Sequence, residues 1–260
     1  MNGWQAATGV FFLYIALVAM WMPRLIGRSR TLALAGAAAG LLIAAAAALR
    51  LHPIVNDWVA PPAALLLGYW TSGLLFVAPM ERFETWLLSI DRRLRIDALA
   101  ASTPRAVAEL LELAYVAVYP VIPVALIVYL VATASPDPAR FWMVILATDY
   151  VCFGMLPWIQ TRPPRALEPA SPWNARLRTL NVRLLGTTSI QVNTFPSGHA
   201  AEALAAALLV STAPAAAIIP MSLMALAISA GAVLGRYHYA ADVLAGWLVA
   251  LVVWLLVTQG

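Results

Sequence analysis

Apolar stretches long enough to cross a bilayer alternate along this chain with short, arginine-bearing segments. A hydrocarbon core is spanned by about 20 apolar residues in a helix, so each stretch is read as a candidate span. The first covers about residues 8–22 and is read as retained, because no small-residue cleavage site follows it. The second, about 32–49, carries Gly36 and Gly40 at the spacing that favours close helix contact. A third covers about 59–80, a fourth about 107–133 with Pro120 and Pro123 as kink points, and a fifth about 141–160 with Asp149 at membrane depth. Three more follow at about 199–213, 215–234 and 242–257. The pattern predicts an all-α polytopic membrane protein of about eight transmembrane helices.

Two segments interrupt the alternation. Residues 81–105 interleave Glu81, Arg82, Glu84, Asp91, Arg92, Arg93 and Arg95 with Phe83, Trp86, Leu87, Leu88 and Leu94, which predicts an amphipathic helix lying at the membrane interface. Residues 161–196 form the longest polar segment, rich in arginine and proline. Residues 1–58 hold the first two spans as a hairpin and 59–260 the other six, with 161–196 as the longest connecting loop. Asp149 is expected to hydrogen-bond a neighbouring helix, since no basic partner is visible near it in the sequence.

Composition agrees and sets the partners. Hydrophobic residues make up 63%, charged residues 11%, and mean hydropathy is +0.83, which excludes a soluble domain with a solvated surface. All 16 basic residues are arginine and the net charge is +4. They fall between spans, so the expected partners are lipid headgroups of the membrane and phosphate esters, with no nucleic acid. The one cysteine, Cys152, lies in an apolar stretch and has no partner for an internal disulfide.

Three polar clusters then fall on one membrane face: Arg162 to Arg165, Ser197-Gly198-His199, and Arg236 with His238 and Asp242. Gly198 lets a ligand approach the backbone, and the helix start behind it offers free N–H groups to an anion. His238 and Asp242 are four residues apart at a helix start, so the carboxylate shares a side with the imidazole and can hold its tautomer. Of only three histidines, two stand in these clusters beside guanidinium groups with bidentate phosphate geometry. This is a complete set for phosphoryl transfer through a histidine nucleophile. Glu202, three residues after His199, supports that imidazole or completes a divalent-ion site with His199, His238 and Asp242.

Arg162-Pro163, Pro196-Ser197-Gly198-His199 and His238-x-x-x-Asp242 followed by Val243-Leu244-Ala245-Gly246 resemble the three-part signature of the phosphatidic acid phosphatase type 2 superfamily. The resemblance implies a six-helix core, with His238 as nucleophile, Asp242 orienting it, His199 protonating the leaving group, and Arg162, Ser197 and Gly198 binding the phosphate, with no cofactor. Met155 stands where the family has a lysine, and Gly231-Ala232 where it has a Ser-Arg pair; Arg165 and Arg236 are natural substitutes. The run Thr161 to Arg165 together with Gly235 to Tyr239 is similar to the branch of inositol phosphorylceramide synthases. The resemblance implies an integral-membrane phosphatase acting on a phosphomonoester or pyrophosphate of a phospholipid or polyprenyl lipid. The alternative is a phospholipid headgroup transferase using the same histidines and aspartate. A non-catalytic lipid-binding or transport protein is disfavoured by the intact His199, His238 and Asp242.

Arginine distribution sets the expected orientation. The face bearing the three clusters also collects Arg24, Arg28, Arg30, Arg82, Arg92, Arg93, Arg95, Arg105, Arg176, Arg178 and Arg183, against Arg50 and Arg140 opposite. The positive-inside rule places the active site of this cell-membrane protein on the cytoplasmic face, with both termini outside. Single cysteines introduced in 81–105 and near the C-terminus, labelled with an impermeant reagent in intact cells, test this. Only the C-terminal site should react, and labelling of the 81–105 site would reverse the orientation.

Overall fold

The computed structural model describes residues 3–49, 52–168, 173 and 175–259, so Arg50 lies outside the described residues. The described residues fold into helices joined by short turns, with a single isolated β-bridge between Thr161 and Asn193. The protein is a multi-pass, all-α membrane protein.

Helix α1 (Gly3–Trp21) and α2 (Gly27–Ala48) form the N-terminal hairpin. Gly40 admits the ring of Phe12, which a Cβ would meet at 2.2 Å, and Gly36 admits Thr71 of α3 (Ala60–Gly73) at 2.4 Å. The glycine spacing read from the sequence thus serves contacts within this chain. The hairpin also packs on α8 (Pro138–Gly154), where Phe11 stacks on Tyr150 with ring centroids 4.1 Å apart and the Thr8 and Tyr150 hydroxyls meet at 3.1 Å.

Among the described residues, four helices are long and apolar enough to cross a membrane: α1, α2, α12 (Ala215–Leu234) and α13 (Ala240–Gln259). The pair α6 (Arg105–Val116) and α7 (Val118–Ala132), bent by 69°, makes a fifth if counted as one broken span. The remaining expected spans are present as shorter helices: α3 has 14 residues, α8 has 17, and α11 (Gly198–Leu209) has 12. The count of eight therefore exceeds what helix length supports, because apolar residues continue past helix ends into turns. Pro120 explains the break before α7: it cannot donate to the carbonyl of Val116, and its ring crowds that carbonyl, so the helix bends one turn upstream.

The interfacial segment is two helices, α4 (Glu81–Arg93) and α5 (Ile96–Ser102), separated at Arg95, whose φ of 56° is left-handed. The buried face of α4 is Glu84, Leu87, Leu88 and Asp91, one helical stripe with an acid at each end. The two acids turn inward, toward arginines of the active-site loops, while Trp86 and Leu94 are exposed. The polar segment 161–196 is likewise not all loop: α9 (Pro164–Leu167) and α10 (Leu177–Thr188) lie within it.

Ser197 caps α11, its hydroxyl accepting from the Ala200 N–H, while Thr194 Oγ1 accepts from the Gly198 N–H at 3.2 Å. The alanines at 200, 201, 203, 205, 206 and 207 of α11 are all buried, and their small side chains let α8 and α13 approach closely.

Candidate active site

The loop from α12 to α13 carries Gly235, Arg236, Tyr237, His238 and Tyr239. The N–H groups of Tyr237 and His238 both donate to the Ala232 carbonyl at 2.9 Å, closing the end of α12. Arg236 is left-handed, with φ 61°, a conformation that costs an ordinary residue about 1 kcal/mol. Its side chain accounts for its presence there, because it is buried among three carboxylates: Asp91 at 3.5 Å, Asp97 at 3.5 Å and Glu168. Asp91 Oδ1 also accepts the N–H of Ala240, the first residue of α13, at 3.0 Å. One carboxylate of α4 therefore holds both ends of the His238 loop. Burial raises Asp91 to about 6, against the opposing pull of the Ala240 N–H and Arg236.

Within this frame His238 and His199 meet, with Nε2 of the first 3.3 Å from Nδ1 of the second. The other nitrogen of His238, Nδ1, lies 3.5 Å from Asp242 Oδ2, beside it but beyond a good hydrogen bond. That placement favours Nδ1–H on His238 and a lone pair on Nε2, pointing at His199. Asp242 is fixed in turn: Oδ2 accepts from Asn193 Nδ2 at 2.7 Å and from the Tyr239 N–H at 3.1 Å. Its carbonyl accepts the Ser197 N–H at 3.0 Å, which joins the start of α13 to the cap of α11. Asn193 has no signal in the sequence, since its partners are Thr161 and Asp242, 32 and 49 residues away.

The arginines divide differently from expectation. Arg165 lines the narrow cleft that contains both histidines, with its guanidinium 5.2 Å from the centre of the Tyr237 ring. Arg162 instead forms a forked pair with Glu84, Nε to Oε1 at 3.1 Å and Nη2 to Oε2 at 2.7 Å. Arg236 is sequestered as described. Neither of these two lines the histidine cleft: Arg162 is paired with Glu84 of α4, and Arg236 with Asp91 of α4, Asp97 of α5 and Glu168. Ser197 is fully buried as a helix cap. At Gly198 a Cβ would lie 3.2 Å from Phe153 and 3.7 Å from Asp149 Oδ1, so the bare Cα also accommodates α8.

Asp149 overturns its expectation: it is fully buried and neither carboxyl oxygen has a hydrogen-bond partner among the described residues. Glu112, passed over in the sequence, is a buried hub that accepts from Trp173 Nε1 at 2.7 Å, Asn181 Nδ2 at 2.5 Å and Tyr237 Oη at 2.7 Å. No group of three or more histidine, cysteine, aspartate or glutamate side chains among the described residues is placed to hold a metal ion.

The family model described as PAP2 superfamily matches residues 126–260, which is 135 of 260 residues and contains Arg162, Arg165, Asn193, His199, Arg236, His238 and Asp242. The chain belongs to the PAP2 superfamily. No curated protein and no solved structure matches it. Membership carries phosphatase-type activity on phosphate esters.

For this PAP2 protein, the departures from the family signature have a packing reason at one position. A Cβ at Gly231 would come within 2.5 Å of the Leu111 carbonyl oxygen, so no serine fits there. Ala232 beside it is fully buried.

Burial first, and the nearby Arg165 second, push the His238 imidazole down from 6.5 to about 3. The folded protein thus keeps His238 neutral, with its lone pair available, and protonation works against the folded site as pH falls below 6.5. In 1H–13C spectra of histidine-labelled protein, the His238 resonance should keep its neutral shift from about pH 8 to about pH 5. A midpoint near the ordinary histidine value would contradict this environment.

Proposed function

We propose that this protein hydrolyses a phosphate ester of a membrane lipid through a phosphohistidine on His238. The observation that carries the reading is that His199 lines an apolar cavity while its ring meets His238 at 3.3 Å in the narrow cleft beside it. That cavity, of about 260 Å³, is bounded by Leu65, Leu66 and Trp70 of α3, by Tyr119 and Ile122 of α7, and by Gly198 and His199 of α11. Leu66, Trp70 and Tyr119 are themselves exposed, so the gap between α3 and α7 faces the lipid and admits an apolar chain from the side. The cytoplasmic orientation argued from the arginines belongs to the same proposal.

The chemistry follows from the ring placement. The phosphate inserts between the imidazoles, and Nε2 of His238 attacks phosphorus as the bond to the leaving oxygen breaks. His199 gives its proton to that oxygen and the lipid alcohol departs. Water then attacks the phosphohistidine, His199 takes the water proton, and inorganic phosphate is released. Asp242, held by Asn193 and the Tyr239 N–H, keeps His238 in the tautomer that presents Nε2. Arg165 is the cleft arginine placed to meet phosphate oxygens.

A panel of phosphatidic acid, phosphatidylglycerophosphate, polyprenyl mono- and diphosphates and phosphatidylinositol species, offered with and without alcohol acceptors, tests this. Phosphate release without acceptor is the expected result, and His238→Ala should lower it by about a thousandfold or more. Headgroup transfer that occurs only with an acceptor would establish the transferase alternative instead.

A further inference from the structure

Of the three arginines expected at the phosphate, Arg162 is paired with Glu84, and Arg236 with Asp91, Asp97 and Glu168. Arg165 lines the cleft with both histidines and pairs with no carboxylate among the described residues. It is held in two other ways. Its N–H donates to the Arg236 carbonyl at 3.1 Å, which ties α9 to the His238 loop. Its guanidinium stands over the Tyr237 ring, 5.2 Å from the centroid, within the range of a cation–π contact.

The ring beneath that guanidinium is itself fixed. Tyr237 is 1% exposed and stacks on Tyr115, with centroids 4.1 Å apart and planes within 9°. Its hydroxyl donates to Glu112 Oε2 at 2.7 Å, and Glu112 is anchored in turn by Trp173 and Asn181. A phenol that donates to a carboxylate is polarised, and the added electron density in the ring strengthens its hold on a cation. Arg178 also approaches this ring, at 5.6 Å, but its Nη1 donates to the Gly235 carbonyl at 2.5 Å and lies 3.7 Å from Glu112. Arg178 is thus committed to the loop and to Glu112. The difference matters for phosphate, because a carboxylate would occupy the same N–H fork that phosphate oxygens use. An aromatic face holds the cation and leaves that fork open.

We propose that Tyr237 is a positioning residue for phosphate binding: its ring, fixed by Tyr115 and Glu112, keeps the Arg165 guanidinium in the histidine cleft with its N–H fork free for phosphate oxygens. The inference rests on the reading above that phosphate enters this cleft, and it adds the group that aims the cleft arginine. Tyr237 immediately precedes His238, so one short loop carries both the imidazole and the platform.

The test is Tyr237→Phe carrying none, one, two or three ring fluorines, made in the full chain and purified in detergent, with the dissociation constant of orthovanadate as the readout. Fluorine withdraws electron density from the ring face and nearly preserves its shape, so packing on Tyr115 is kept while the attraction for a cation falls. The dissociation constant should rise with each fluorine, by about fivefold or more across the series. Arg165→Gln with the tyrosine intact should weaken orthovanadate by about tenfold or more, and in that background the fluorinated series should stay within about twofold. A ring that only fills space would give a flat series, and a flat series overturns the platform. A series that rises equally after Arg165→Gln overturns it too, as does unchanged binding on Arg165→Gln alone. Phosphate release from a lipid phosphate by a protein that binds no orthovanadate sinks the platform and spares the phosphatase reading. Orthovanadate binding with the expected series, and no phosphate release from any lipid phosphate, sinks the phosphatase reading and leaves the platform standing.

Discussion

The spacing of the two histidine-bearing elements depends on one close backbone contact. A Cβ on Gly246 of α13 would stand 2.4 Å from the Ser197 carbonyl oxygen, so glycine is required for α13 to lie against the start of α11. In that position the Ser197 N–H donates to the Asp242 carbonyl at 3.0 Å. His199 follows Ser197 by two residues and His238 precedes Asp242 by four, so a single crossing fixes where both imidazoles enter the cleft. Larger residues at this crossing would separate the helices and, with them, the pair of rings.

Charge then immobilises what the crossing has placed. Glu84 and Asp91 lie on the inward stripe of α4 and take Arg162 and Arg236, while Glu112 takes Tyr237, Trp173 and Asn181 from three different segments. Such buried pairs contribute modest net stability against their desolvation, and removing one partner is strongly destabilising. Their consequence here is positional: the loop of His238 is anchored on both flanks before any substrate arrives. If His238 is the nucleophile proposed above, a position on a short loop needs such support, since small displacements of reacting groups are expensive in rate.

The helical, polytopic character and the two-histidine site were legible because each has a local signature. Apolar run length reports on spans, and His238 with Asp242 share a helix face by spacing alone. Helix ends were less legible, since apolar residues run past them in α3, α8 and α11. The roles of the arginines were not legible, because the partners of Arg162 and Arg236 lie 78 and 145 residues away in α4, and a stripe containing acids reads as an interfacial helix. Asn193 was hidden for the same reason. Asp149 illustrates the opposite case: its depth was visible in the sequence, while its lack of a partner required the packing of α8 on α11.

The covalent role proposed for His238 is open to the most direct trial. Protein mixed with a 32P-labelled lipid phosphate that it hydrolyses, and quenched within a turnover, should carry a phosphoryl group that is stable in alkali and labile in acid, mapping to the peptide containing His238. His238→Ala should carry none. Label on another residue, or steady turnover in the wild type with no trapped phosphoprotein at any quench time, would contradict the mechanism.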